Sequence, residues 1–135
     1  MATAKTNYLE KAVIDHILGE GARNMTSPAT LFVSLHTADP TEAGNGAEVS
    51  GNGYSRQAVN FGAASVNNDG TVANTGALTF TASGGGWGSV GWMAIWDASS
   101  AGNCLYYGAI TGGAQTINDG NTVTMAVGAI VVGEL

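Results

Sequence analysis

Charge is scarce in this sequence, basic charge above all, and so are cysteine, proline and histidine. Charged side chains make up 10% of the 135 residues, well below the roughly 25% of an ordinary globular protein, so something other than charge must cover the exterior. Four basic residues, Lys5, Lys11, Arg23 and Arg56, stand against ten acids, giving a formal charge of -6. A grip on a phosphate backbone depends on Lys and Arg displacing counterions, so no nucleic acid is expected as a partner. No membrane is expected either, because an anionic lipid surface needs the same cations. The single Cys104 can form neither an internal disulfide nor a cysteine-rich zinc site, and is expected as a small core residue. No apolar run reaches the ~18 residues of a membrane-spanning helix. Asn7 and Glu10 between Lys5 and Lys11 interrupt what would be a signal peptide's apolar centre. The expected setting is the cytoplasm of the producing cell, or release from it without classical secretion.

What is present is enough for a core. Apolar residues reach 44%, which excludes the disordered class. Surface scaling gives about 6,500 Å² exposed when folded against about 19,600 Å² unfolded, so roughly two thirds of the chain's surface can be buried in one domain over residues 1–135.

Helical rhythm occurs only near the start. Leu9, Val13 and Ile17 recur at four-residue steps, and Ile14 and Leu18 widen the stripe. Asn7 with Glu10 three residues later reads as an N-cap, and Gly19 and Gly21 as stops. The spacing predicts an arm and helix within residues 1–21, the helix running from Tyr8 to Leu18. A helix of this length is not stable alone in water, so its stripe must pack on the domain's own sheet or on a neighbouring subunit. His16 beside the stripe reads as a partly exposed helical histidine, since no further ligand stands at metal-site spacing.

After Gly21 the period changes to two. Leu31, Val33 and Leu35 alternate with Phe32, Ser34 and His36 as a strand. Residues 38–53, with Pro40 and four glycines, form a long loop, and loops of this length are usually functional. Asp39, Glu42, Asn45 and Glu48 on this loop, Tyr8 and Leu9 on the helix, and Arg56 are the candidate partner contacts. Strand-like runs follow at 54–61, 64–66, 71–74, 77–82, 90–97, 105–111 and 122–132, separated by turn residues. The expected fold is mainly β, an antiparallel sandwich or barrel with one short N-terminal helix. In the last run Val123, Met125, Val127, Ala129 and Val131 are assigned to the core face. Residues 57–135 hold no Lys or Arg and four acids, Asp69, Asp97, Asp119 and Glu134. Strand edges are normally protected from pairing by charge or proline, so burial between copies in an oligomer or lattice is expected, against the alternative of a monomer hydrated through Ser, Thr, Asn and Gly.

Catalytic patterns are weak. Ser34, His36 and Asp39 supply the residue types of a triad without a nucleophile elbow. No carboxylate pair suited to glycoside hydrolysis stands out, and each of Asp69, Asp97 and Asp119 reads as a turn aspartate bonding its own backbone. Asp39, Glu42, Asn45 and Glu48 are oxygen ligands of the kind calcium takes, but not at EF-hand spacing. Gly84, Gly85, Gly86 and Gly88 lack the Lys and the helix of a phosphate loop. Trp87, Trp92 and Trp96 read as core aromatics before a sugar platform, with Trp92 and Trp96 sharing a face with Val90 and Ala94. No cofactor, metal or catalytic residue is expected.

Three blocks carry a resemblance: LFVSLHTADPTEAGNGAEVSGNGYSRQAVNF from Leu31 to Phe61, VGWMAIWDASSAGNCLYYGAI from Val90 to Ile110, and VTMAVGAIVV from Val123 to Val132. Together with the helix they resemble small virion proteins of tailed bacteriophages, described as tail-fibre-like or minor structural proteins. The resemblance implies a structural role in the virion, with no catalytic residues to carry over, and leaves head and tail open. A capsid decoration or cement protein is the first expectation. It would be a homo-oligomer, a trimer by analogy with the three-fold sites of icosahedral shells, and would bind the major capsid protein or another virion protein. A tail-fibre or tail-tip component is the alternative, and a tail-borne glycan hydrolase a third reading.

Overall fold

The computed structural model describes residues 4–64 and 70–133. The elements are, in chain order, β1 (Ala4–Lys5), α1 (Asn7–Leu18), β2 (Leu31–His36), β3 (Gln57–Val59), β4 (Thr71–Ala73), β5 (Leu78–Thr81), β6 (Gly88–Val90), β7 (Trp92–Trp96), β8 (Cys104–Ala109), β9 (Gln115–Ile117), β10 (Thr122–Met125) and β11 (Val131–Gly133). One sheet has the order β1-β8-β7-β2-β3, and three two-stranded ribbons pair β10 with β5, β11 with β4 and β6 with β9. Every pairing is antiparallel, so the fold is mainly β with one helix among the described residues, as the two-residue period requires. The expected strand at 64–66 and the turn at Asp69 fall largely on residues 65–69, outside the described residues, as does Glu134.

Alternation along β2 sends its side chains to two different interiors. Val33 and Leu35 join Met93 and Ile95 of β7, and with Phe80, Trp87, Ile117, Met125, Ile130 and Val132 from the ribbons they form the main core. Ser34 and His36 point the other way, onto the face where Ala94, Trp96 and Cys104 make a second, smaller cluster with Tyr107 packed against it. Cys104 is buried, as expected, and burial pushes its thiol up to about 12.

Two runs that read as single strands are broken, and both breaks exchange the faces. Between β6 and β7 the chain turns at Gly91, where an added Cβ would lie 2.9 Å from the Cβ of Ala114. Val90 therefore enters the main core while Ala94 and Trp96 enter the small one, correcting their assignment to a common face. Residues 126–130 form a turn between β10 and β11 that is gripped by the buried Asn74. Its side-chain nitrogen donates to Ala126 O at 3.0 Å and its side-chain oxygen accepts from Ile130 N at 2.8 Å. In place of Val127 and Ala129 the core receives Ile130, and Val127 is 64% exposed.

Candidate functional site

The loop 38–53 is the first site indicated by the sequence, and it is a built roof over the polar face of the sheet. Pro40 is fully buried, and Val49, 6% exposed, reaches into the main core and pins the end of the loop. Thr37 N donates to Ala47 O, Val49 N to Leu35 O and Asn45 N to Pro40 O, and His36 and Glu48 form an antiparallel bridge. Gly44 lies on Cys104 with a φ of +67°, so a side chain there would both strain the backbone and meet the cysteine.

Beneath the roof a polar chain runs across that face of the sheet. Trp96 Nε1 donates to Ser34 Oγ at 2.7 Å, and Ser34 Oγ lies 2.7 Å from His36 Nε2. The other ring nitrogen of His36, Nδ1, faces the Gly46 carbonyl, which can only accept, so the proton sits on Nδ1 and Nε2 accepts from the serine hydroxyl. Burial holds the His36 pKa below its ordinary value, against the opposing influence of Gly46 and Glu48. Ser34 and His36 thus do meet, as the residue types allowed. Yet they are 0% and 1% exposed, and Asp39 is turned to its own loop, accepting from Thr41 N at 2.8 Å. The arrangement is a structural tie between sheet and roof.

Arg56 closes the roof at one end. Its Nε and Nη2 donate to the two carboxylate oxygens of Glu48 at 2.9 and 2.8 Å. Nη1 donates to Ala98 O at 3.0 Å and Ala101 O at 2.9 Å in the β7–β8 turn. The guanidinium carbon sits 3.8 Å from the centre of the Trp96 ring. Burial alone would raise the Glu48 pKa, but hydrogen bonds from Arg56 and Tyr54 and the Arg56 charge outweigh it and hold the carboxyl below its ordinary value. Tyr54 donates to Glu48 at 2.8 Å and accepts from Leu35 N at 3.1 Å. Its ring meets Trp87 edge-on, with centroids 5.6 Å apart.

These contacts redistribute the seven candidate partner residues. Arg56, with a side chain 7% exposed, and Leu9, 4% exposed, are internal residues, which corrects their placement at the surface. Glu48 is half-buried and committed to Arg56 and Tyr54. Asp39, Glu42 and Asn45 are exposed on the roof, and Tyr8 is 49% exposed. Among the described residues no three His, Cys, Asp or Glu side chains stand together as a metal-ligand group, and Glu48, one of the four residues considered for calcium, is engaged by Arg56 and Tyr54.

The second site is the helix. The N-cap is Thr6, one residue before the expected Asn7, because Thr6 is fixed from both sides. Its hydroxyl donates to Cys104 O at 2.6 Å and accepts from Leu9 N at 3.3 Å, while Asn7 N donates to Glu42 O at 3.0 Å. The first turn is thereby anchored and Leu9 is driven into the body. The second half has no such cover: Ile14 is 58%, Ile17 61% and Leu18 73% exposed. These three occupy positions i, i+3 and i+4, one contiguous apolar face. On another side of the helix, Tyr8, Lys11 and Asp15 border a cleft of about 460 Å³ whose far wall is Asn24, Met25, Thr26 and Pro28.

Residues 4–133 match the family described as Podophage GP4 fiber I protein gp80, and the chain belongs to that family. No curated protein matches it. Membership makes the chain a phage virion structural protein of a fibre family, in agreement with the resemblance carried by the three sequence blocks.

Proposed function

We propose that this member of a podophage fibre family is a non-enzymatic fibre subunit that acts by binding, and that the uncovered half of α1 is where one copy docks on another. The observation that carries the reading is the contrast along one helix. Leu9 is buried, whereas Ile14, Ile17 and Leu18 stand in water on a helix of 12 residues that needs packing to be stable. Covering each of the three side chains contributes about 1–2 kcal/mol. Charge favours a second copy as the occupant. Residues 1–23 hold Lys5, Lys11 and Arg23 against Glu10, Asp15 and Glu20 and are neutral, so the whole formal charge of -6 belongs to residues 24–135. Copies can therefore meet through the neutral helix region while their acidic bodies stay apart.

The double variant Ile14→Glu/Leu18→Glu, measured by light scattering with circular dichroism as the fold control, is expected to dissociate the assembly of the parent chain with the β signal retained. A variant that assembles as the parent does would refute the docking role. The sequence's first expectation, head decoration, remains a second reading supported by the weakly charged exterior of residues 57–135. Immunogold labelling of intact particles separates the two: label on the tail supports the fibre subunit, and label over the shell supports decoration.

A further inference from the structure

We infer that β1 and α1 form an exchangeable unit, which docks on the β8 edge of a second copy as it docks on its own. The inference rests on the proposed self-assembly and says how it is made.

Three observations lead to it. The unit is fastened along β8: Ala4 and Lys5 pair with Tyr107 and Tyr106, and Thr6 bonds the backbone of Cys104 and Leu105. Asn7 N also donates to Glu42 O on the roof, and a second copy offers each of these partners equally. The connection to β2, residues 19–30, is loosely held. Its internal bonds are Ala22 N to Gly19 O and Asn24 N to Ala22 O, Gly19 N reaches back to Asp15 O, and no residue from 20 to 30 bonds a strand of the body. A cleft lies between the helix and the connection. Twelve extended residues reach about 40 Å, enough to carry the unit to an adjoining molecule. Finally, the docked unit leaves Ile14, Ile17 and Leu18 exposed.

Exchange of an identical element remakes the contacts of the unit with β8 and the roof on the second copy. The difference lies in the helix, which in the exchanged form stands between two bodies, where its distal apolar face is covered. Copies held together in a virion assembly supply the high local concentration that favours the intermolecular form.

The test uses the register. Antiparallel partners have Cα atoms about 4.5–5.5 Å apart, within the span of a disulfide, so Ala4→Cys and Tyr107→Cys are placed in separate full-length chains, which are unfolded together, refolded and oxidised. The double variant in one chain shows that the pair can close, and the native Cys104 is buried. A covalent dimer of the two single variants on a non-reducing gel, formed in substantial yield, is the result expected. Absence of that dimer while light scattering still reports an oligomer overturns exchange and leaves assembly standing. Absence of the dimer from a chain that stays monomeric overturns both.

Discussion

Arg56 shows how much one residue can hold. It is the sole Lys or Arg between residues 24 and 135, and it is spent inside, on Glu48, on two turn carbonyls and on the face of Trp96. A lysine carries the charge but not the planar fork that serves all four acceptors. Arg56→Lys is expected to lose roughly 1–2 kcal/mol, because an ammonium keeps the charge but not all four hydrogen bonds of the fork, read as a lower urea midpoint with altered Trp96 fluorescence. His36 makes a second prediction. Its folded pKa lies below the ordinary 6.5, so the native state binds fewer protons than the unfolded chain. Stability is therefore complete above pH 6.5 and falls as the pH drops below it. Glu48, held below its ordinary 4.5, adds a further loss in the same direction at lower pH. Thermal melts of His36→Gln and the parent across pH 7 to 5 are expected to show a flatter profile for the variant. A parallel pair of profiles would reject the assignment to His36.

Elements differ in how plainly the sequence announces them. β2 is legible to the residue, because Leu31 to His36 alternates cleanly and both of its faces are buried. The helix is legible to within one residue, and the shift comes from Thr6, whose partners lie 98 residues away at Cys104. Thr6→Val keeps the shape but removes both the cap and that bond, and is expected to cost about 1–2 kcal/mol by denaturant melts. β9 at Gln115–Ile117 was not foreseen, since Ala114 to Ile117 holds too few apolar residues to show a period. The breaks at Gly91 and at 126–130 were hidden for the opposite reason. Val127 and Ala129 continue an apolar alternation that the chain does not use, because Asn74 folds the segment into a turn. The packing of the roof is the least legible feature. A stretch rich in glycine and polar residues gives no local sign of packing, and its fastening depends on Gly44 meeting Cys104 and on Arg56 meeting Glu48. The isolated Arg56 was the one signal available, since a lone cation in a long uncharged stretch asks for a partner.

For the molecule as a whole, the separation of charge sets how it associates. A neutral helix region joined to an acidic body predicts self-association that tightens between about 10 and 150 mM salt, as screening relieves repulsion between bodies. Light scattering across that range checks it, and dissociation by salt would show an interface held by ion pairs instead. The roof has a consequence of another kind. Several of its ties are main-chain ones, through the carbonyls of Pro40, Gly46 and Ala47 and the amide of Val49, and Asp39 adds a side-chain tie to Thr41 N, while Glu42 and Asn45 look outward. Those two letters can be rewritten without disturbing the scaffold that carries them, giving the particle a place where new chemistry can be displayed on an unchanged frame.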